Sequence, residues 1–249
     1  MALILISNDD GINAEGLRVL KESVKDFGGT IVFAPDGERS GYSHSLTSRK
    51  PIRVRKIDKD TYSTDGTPTD CILYSIRGIL KEKPDIILAG INHGANLGID
   101  VSYSGTVAIA MEGTFLGISS IAFSQVNFRD SFNPNFAKRV VKSIVGRVLE
   151  EKLPEGVFIN VNLPPEPNGK LRITKLGNRI YRDSVIKTGE DGNEVLYSLG
   201  RESPTWISEK NSDFDAIDEG FVSVTPIHME CTEYETMKKL SKWEKNYKL

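Results

Sequence analysis

The stretch LILISNDDG, residues 3–11, joins four apolar residues to two adjacent carboxylates. An uninterrupted apolar run of this length indicates a strand that is buried on both faces, which is typical of a parallel sheet. Leu17, Leu20 and Val24 follow with the spacing of one helix face. Because neighbouring carboxylates repel each other, Asp9 and Asp10 at the end of a buried strand call for a positive charge close by.

The same alternation of strand and helix continues through the first two thirds of the chain. Strands are predicted at residues 30–34, 52–54, 61–63, 85–89, 121–123 and 157–161, and helices at residues 70–80, 107–116 and 135–151. Apolar strands that alternate with helices predict an α/β fold with a mostly parallel sheet covered on both faces. Sheets of this kind bind their ligands beyond the carboxyl ends of the strands.

The pattern changes after about residue 164. Short β-like runs between residues 171 and 212 surround the polar turn 190–193, which predicts an extended hairpin or a small antiparallel appendage. A strand at residues 221–225 is expected to return to the sheet. We therefore divide the chain into a core at 1–163, a hairpin extension with the returning strand at 164–227, and an oligomerisation helix at 228–249.

The predicted C-terminal helix is amphipathic. Met237, Leu240 and Trp243 occupy one side, and lysines occupy the other. An apolar helix face at the end of a chain has no further domain to cover it, so we expect it to dock on a partner subunit.

Composition excludes several classes of function. The 249 residues carry 32 basic and 34 acidic side chains, a formal charge of −2, and the basic residues are scattered, so no nucleic-acid polymer is expected as a partner. The two cysteines form neither a disulfide framework nor a zinc pattern. The first apolar run is too short for a signal peptide or a membrane span, which predicts a cytoplasmic protein without membrane contact.

Polar clusters follow three of the predicted strands. They contain Asp9 and Asp10 after the first strand, Ser40 after the second, and Asn92 after the strand at 85–89. Their oxygen atoms are the ligand type that Mg²⁺ and Mn²⁺ prefer. Taken singly, an Asp at a strand end is usually a helix cap, and Ser40 or Asn92 a turn residue. Their shared location at one sheet edge favours a metal site.

A further candidate is Ser104-Gly105-Thr106, which precedes a helical pattern. Two hydroxyls and free backbone N–H groups at a helix start suit an anion, although the same residues also make an ordinary helix cap. Asp70 is assigned to a helix start. The chain has no P-loop, its glycines at 90, 94 and 98 do not fit a dinucleotide fingerprint, and it has no Gly-x-Ser-x-Gly hydrolase motif.

Six segments together resemble one known family. They are SNDDG (7–11), APDGERSG (34–41), STDGTPTDC (63–71), DIILAGINHGANLG (85–98), YSGTVAIAMEG (103–113) and DEGFVSVTPI (218–227). In this order they closely resemble the SurE family of stationary-phase survival proteins, which are metal-dependent phosphatases acting on nucleoside monophosphates and usually described as 5′-nucleotidases.

The resemblance implies a Rossmann-like three-layer α/β/α core, a protruding β-hairpin and a C-terminal helix exchanged between subunits. It also implies one divalent metal ion per subunit, Mg²⁺ or Mn²⁺. The implied metal ligands are Asp9, Asp10, Ser40 and Asn92. The implied phosphate- and substrate-binding residues are Ser104, Gly105 and Thr106, with Asn8 and Asn96 beside them.

The predicted reaction is hydrolysis of a nucleoside 5′-monophosphate, with Asp9 and Asp10 as the catalytic carboxylates and Asp9 as the candidate that activates water. The preferred base, 3′-monophosphates and short polyphosphate stay open. Two alternatives use the same carboxylates: an aspartyl-phosphate phosphatase of the haloacid-dehalogenase type, which needs Asp-x-Asp, and a regulatory receiver module, which is about half as long. The expected partners are the nucleotide and a second copy of the chain, in a dimer or tetramer.

Overall fold

The computed structural model describes residues 1–180, 185–199 and 205–244. The strands are β1 (Ala2–Ser7), β2 (Gly28–Pro35), β3 (Val54–Asp58), β4 (Thr61–Thr64), β5 (Ile86–Asn92), β6 (Ser119–Gln125), β7 (Val157–Leu163), β8 (Leu171–Ile173), β9 (Asn178–Ile180), β10 (Val185–Asp191), β11 (Glu194–Leu199), β12 (Thr205–Ile207) and β13 (Val222–His228). The helices are α1 (Glu15–Val24), α2 (Pro68–Tyr74), α3 (Gly105–Phe115), α4 (Phe128–Ser131), α5 (Pro134–Glu151), α6 (Asp213–Asp218) and α7 (Tyr234–Leu240).

Nine of these strands form one sheet in the order β3-β4-β2-β1-β5-β6-β7-β13-β8. The run from β4 to β7 is parallel throughout, and Ile4 of β1 pairs with Thr30 on one side and Ile86 on the other. β3 and β13 run antiparallel to β4 and β7. The prediction of a mostly parallel sheet is confirmed, and the carboxyl ends of β1, β2, β5 and β6 meet at one edge.

Helices cover both faces of the sheet. Ile4 and Ile6 belong to a buried cluster that includes apolar side chains of α1 and α5. Leu5, which points to the opposite face, belongs to a second cluster with α2 and α3. Since successive strand residues face opposite sides, the apolar run of β1 fills both layers, and each such side chain contributes about 1.5–3 kcal/mol through burial. The predicted three-layer α/β/α arrangement is confirmed.

The predicted hairpin is also present. β10 and β11 pair with each other from Val185–Leu199 to Asp191–Glu194 in a separate two-stranded sheet. Their turn contains Gly192 at φ +58°, a conformation that favours glycine. β9 and β12 form another short pair, and β13 enters the main sheet, where Val224 lies opposite Val161.

Two elements differ from the sequence prediction. A strand predicted at 52–54 lies instead at Val54–Asp58, where every residue is exposed and the backbone pairs with β4. The helix predicted at 70–80 starts at Pro68, ends at Tyr74 and continues as a π-helical turn, Ser75–Ile79. Its start is fixed by a reciprocal cap between Thr67 and Asp70, which confirms the helix-start role of Asp70.

The C-terminal segment carries exposed apolar side chains. Tyr234, Met237, Leu240 and Trp243 are all exposed, along α7 and the 3₁₀ turn Ser241–Trp243 that follows it. The last five residues of the predicted tail helix, 245–249, lie outside the described residues, so the exchange of this helix between subunits stays a prediction. Within the described ranges, no helix has the length and apolarity needed to cross a membrane.

Candidate active site

A cleft of about 660 Å³ opens at the edge where the carboxyl ends of β1, β2 and β5 meet. Six of the predicted site residues line it: Asp9, Asp10, Ser40, Asn92, Asn96 and Ser104. The most distant of them, Asp9 and Ser104, are 95 positions apart in the chain, and the parallel sheet brings them together because its loops leave the strands at one edge.

Asp9 is almost fully buried and is held by the start of α3. The Thr106 hydroxyl donates a hydrogen bond to Asp9 Oδ1. The positive end of the α3 dipole points toward the carboxylate. Gly105 permits this close packing, since a Cβ at this position would lie 2.8 Å from Asp9 Oδ2.

Asp10 is held by the loop that follows β5. The backbone N–H of His93 donates to Asp10 Oδ2 at 3.1 Å, and His93 Nδ1 lies 3.7 Å from Asp10 Oδ1. Burial lowers the pKa of His93, which favours the neutral imidazole. His93 therefore positions the second carboxylate mainly through its backbone.

Burial raises the pKa of Asp9 to about 6, and the neighbouring charge of Asp10 adds to the rise, while the Thr106 hydroxyl opposes it. Burial also raises the pKa of Asp10 to about 6; the His93 N–H opposes this rise, and the charge of Glu38 adds to it. Each carboxylate is thus less stable in its charged form than it would be in water. A cation bound between them would reverse that effect.

Ser40 and Asn92 face the same cleft from separate loops. Ser40 Oγ donates to Glu38 Oε1 at 3.0 Å, so the hydroxyl oxygen keeps its lone pairs. Asn92 Nδ2 donates to the Gly94 carbonyl at 3.0 Å, while Asn92 Oδ1 lies 3.4 Å from Thr106 Oγ1. The amide of Asn92 therefore turns its oxygen toward the side chains that hold Asp9.

These residues fit a divalent metal ion. The described part of the chain has no group of three or more His, Cys, Asp and Glu side chains that could hold a metal. A metal in this cleft therefore needs the hydroxyl of Ser40 and the amide oxygen of Asn92 besides the carboxylates. Two carboxylates, one hydroxyl and one amide oxygen form the all-oxygen set that Mg²⁺ and Mn²⁺ prefer.

The predicted phosphate-binding segment forms the start of α3. Ser104 is its N-cap, and Ser104 Oγ accepts a hydrogen bond from the Val107 N–H at 3.1 Å. Because Oγ acts only as an acceptor in this bond, its proton can be donated into the cleft. Gly105 and Thr106 lie behind Asp9, and the Thr106 hydroxyl faces Asp9 instead of the cleft, so its contact with phosphate stays a prediction.

The two asparagines expected beside the substrate are held differently. Asn8 is fully buried behind the cleft, and its amide nitrogen donates to the Gly11 carbonyl at 2.9 Å, which fixes the carboxylate loop. Asn96 lines the cleft. Its Nδ2 donates to Ser124 Oγ at 2.8 Å, and its backbone N–H donates to Asn162 Oδ1 at 2.9 Å. The structure thus gives both side chains a positioning role.

Comparison with known proteins decides the family. The family model described as "Survival protein SurE" matches residues 4–183. This chain belongs to the SurE family. It is 42% identical over 246 residues to the 5'-nucleotidase SurE of Vibrio vulnificus (strain CMCP6), covering 97% of this chain and 95% of that protein. It is 43% identical over 245 residues to the 5'-nucleotidase SurE of Aquifex aeolicus (strain VF5), covering 96% and 97%.

The fold agrees with this assignment. The crystal structure of the SurE protein from Aquifex aeolicus superposes with a TM-score of 0.87 at 42% identity, and the match covers 97% of this chain and 99% of that one. The SurE resemblance predicted from six motifs is confirmed.

Other residues that line the cleft were not predicted from the sequence. They are Glu38, Gly41, His93, Asp100, Tyr103, Arg129 and Leu199. Of these, Asp100, Arg129 and Leu199 lie outside the six SurE motifs. Arg129 follows β6, which lies next to β5 in the sheet and ends at the same edge. Knowledge of the strand order would therefore have placed Arg129 near the cleft. Leu199 ends the hairpin strand β11, and no local pattern marked it.

Proposed function

We propose that this protein is a 5′-nucleotidase that hydrolyses nucleoside 5′-monophosphates to nucleoside and phosphate, with one divalent metal ion, Mg²⁺ or Mn²⁺, in each subunit. The observation that carries the proposal is the common cleft onto which Asp9, Asp10, Ser40 and Asn92 open from three strand ends. Full-length similarity to proteins named 5'-nucleotidase SurE supports it.

Asp9, Asp10, Ser40 and Asn92 would hold the metal. When bound there, a divalent cation supplies positive charge that offsets the two carboxylates and the charge that builds on the phosphate oxygens. The chain's own contribution is the fixed placement of these four side chains, and Thr106 and the His93 N–H prevent the carboxylates from turning away.

The start of α3 is proposed to bind the phosphoryl group. The Ser104 hydroxyl and the backbone N–H groups at the helix start, which have no carbonyl partner within the helix, offer donors to phosphate oxygens, and the helix dipole favours their negative charge. Donors that are already in place before the reaction need no rearrangement when charge develops, which is where their contribution to the rate arises.

Asp9 is proposed to accept the proton of the attacking water. Because Asp9 Oδ1 accepts the hydrogen bond from the Thr106 hydroxyl, we assign Asp9 Oδ2 as the oxygen that takes the proton from water. Water oxygen forms the new bond to phosphorus, the bond to the nucleoside oxygen breaks, and that oxygen is released as a hydroxyl after taking up a proton.

Phosphate release after metal removal tests the proposal. The protein is stripped with EDTA, then assayed on nucleoside 5′-monophosphates with added Mg²⁺ or Mn²⁺, beside 3′-monophosphates and short polyphosphate. We expect release that returns with metal for wild type and not for Asp10→Asn. Asp60→Asn, in the β3–β4 turn, serves as the matched control. Absence of release from every 5′-monophosphate with either metal would refute the assignment.

We further propose that two copies associate through the exposed apolar side chains of the C-terminal segment, with exchange of this helix in a dimer or tetramer. The exposure of Met237, Leu240 and Trp243 supports this, since a second copy would bury them. We also propose a cytoplasmic location, which the two free cysteines, Cys71 and Cys231, support.

A further inference from the structure

We propose that Arg129 is a substrate-binding residue that contacts the phosphate group of the nucleotide. This inference rests on the proposed function for the identity of the substrate. The new part is the phosphate contact, which is assigned to a residue outside the predicted metal and phosphate sites.

Arg129 stands where two clefts join. The cleft that holds the paired carboxylates measures about 660 Å³, and a larger cleft of about 1200 Å³ lies beside it. The residues that line both are His93, Asp100 and Arg129. A nucleotide with its phosphate in the smaller cleft and its remaining atoms in the larger one would pass directly by the Arg129 side chain.

The side chains around the smaller cleft are mostly negatively charged, so a bound phosphate needs a positive charge from the guanidinium of Arg129. The described residues that line it include four with carboxylates, Asp9, Asp10, Glu38 and Asp100. Arg129 is the only lysine or arginine among these described lining residues. A metal ion would offset Asp9 and Asp10. The substrate phosphate then adds up to two further negative charges, which a nearby guanidinium can balance with two parallel hydrogen bonds.

Among the described residues, no neighbouring group pairs with the Arg129 guanidinium. Asp100 forms an ion pair with Arg179. For Arg129, the described part of the chain offers neither an ion pair nor a side-chain hydrogen bond. A guanidinium that has no partner among the described residues has its N–H donors available to a ligand.

The backbone below Arg129 is anchored, although the side chain is exposed. The preceding residue, Phe128, is buried, and its ring lies 4.0 Å from the His93 ring and 3.9 Å from the Phe132 ring, measured between centroids. His93 in turn belongs to the loop that holds Asp10. The start of the arginine side chain is therefore fixed relative to the carboxylates, as a binding residue requires.

The test compares Arg129→Ala with Arg147→Ala, which removes the same charge from an exposed position on α5. Binding of inorganic phosphate to the Mg²⁺-loaded protein is measured by titration calorimetry. The KM and kcat for a nucleoside 5′-monophosphate and for p-nitrophenyl phosphate are measured beside it. Arg129→Lys keeps the positive charge but loses the paired N–H donors of the guanidinium. Its phosphate affinity is expected to lie between those of wild type and Arg129→Ala.

We expect Arg129→Ala to weaken phosphate binding about tenfold and to raise both KM values similarly, with a smaller change in kcat, as for the loss of an exposed charged hydrogen bond. Arg147→Ala should match wild type. The proposal is overturned if Arg129→Ala binds phosphate like Arg147→Ala, including the case where only the nucleotide KM rises, which would mean a nucleoside contact. If wild type hydrolyses neither ester, the proposed function fails, and phosphate binding still decides the role of Arg129.

Discussion

The hydroxyl of Thr106 donates a hydrogen bond to Oδ1 of Asp9, and these two residues are 97 positions apart in the chain. The bond joins the end of β1 to the start of α3. It fixes the carboxylate that is predicted both to bind metal and to take a proton from water. Thr106 thus acts through Asp9, and α3 serves the site as a positioning element.

Thr106→Val keeps the side-chain shape and removes the donor. We expect phosphate release to fall about tenfold or more, because a buried hydrogen bond to a charged group contributes about 1.5–3 kcal/mol. The metal concentration for half-maximal activity should rise in parallel. Thr106→Ser keeps the hydroxyl and should retain most of the activity, so equal activity of the valine and serine variants would contradict this role.

Gly105→Ala tests the close packing of α3 on the carboxylate. The added Cβ would lie 2.8 Å from Asp9 Cβ and Oδ2 and 2.9 Å from Pro68 Cγ, so Asp9 must move. We expect most of the activity to be lost. Gly146→Ala in α5 is the matched control, since its Cβ would lie 3.5 Å from the Phe27 ring, an ordinary contact. That variant should keep full activity and gain up to about 1 kcal/mol in stability; a similar loss of activity in both variants would argue against the packing explanation.

The paired carboxylates make stability depend on pH and metal. In the folded protein the pKa of Asp10 is raised from its ordinary value of 3.8 to about 6. A raised folded-state pKa means that stability present below pH 3.8 is lost as pH rises toward 6. In EDTA, Asp10→Asn should therefore match wild type near pH 4 and exceed its free energy of unfolding at pH 7 by about 2 kcal/mol.

Added Mg²⁺ should reverse this difference, because it stabilises only the protein that keeps its ligands. Thermal unfolding between pH 4 and 8, with EDTA or with Mg²⁺, measures both effects. An Asp10→Asn variant that is less stable than wild type at pH 7 in EDTA would show that the carboxylate is not under electrostatic strain.

The loop that carries Ser40 is tied to α3 by His44. His44 Nε2 lies 3.0 Å from Glu112 Oε2, and the His44 ring stacks on Phe115. We expect His44→Ala to free the loop, which should raise the metal concentration for half-maximal activity several-fold and speed proteolytic cleavage near Ser40. His228→Ala, on an exposed histidine at the end of β13, is the control. Unchanged metal response and cleavage would assign the contact to stability alone.

The apolar face of the C-terminal segment predicts an oligomer. Met237→Glu combined with Leu240→Glu places two charges on the exposed side chains that we expect a second copy to cover. Light scattering should report a smaller particle than for wild type. Lys239→Glu changes charge on the same helix and should leave the mass unchanged. A wild-type protein that is already monomeric at all concentrations would refute the association.

The main sheet and its layers were predictable because the apolar runs of β1, β2, β5 and β7 are long enough to identify buried parallel strands. Edge elements were harder. β3 is fully exposed and has no apolar pattern, so its position follows from pairing with β4, which a local pattern does not reveal. The same holds for the end of α2 at Tyr74, where the chain changes to a π-helical turn although the apolar spacing continues.

The site was predicted in part. The motifs named the oxygen-bearing side chains Asp9, Asp10, Ser40 and Asn92, and the strand ends predicted that they lie together, as they do in the cleft. They did not reveal that the Thr106 hydroxyl faces Asp9, or that the amide of Asn8 is used behind the cleft to fix its loop. Arg129 was missed because a single arginine in a polar loop carries no pattern until β6 is placed beside β5.

The sequence by itself determined the parallel α/β core, the family and the residue types that meet at the sheet edge. These follow from local chemistry, since long apolar runs are buried on folding and the polar residues that follow them are left at the ends of the strands. Only the tertiary structure decided which atoms face one another: Thr106 against Asp9, the His93 N–H against Asp10, and Arg129 between the two clefts. Hydrogen bonds and charge interactions act over a few ångströms between residues far apart in the chain, so they depend on how the layers pack, and local patterns do not contain that information.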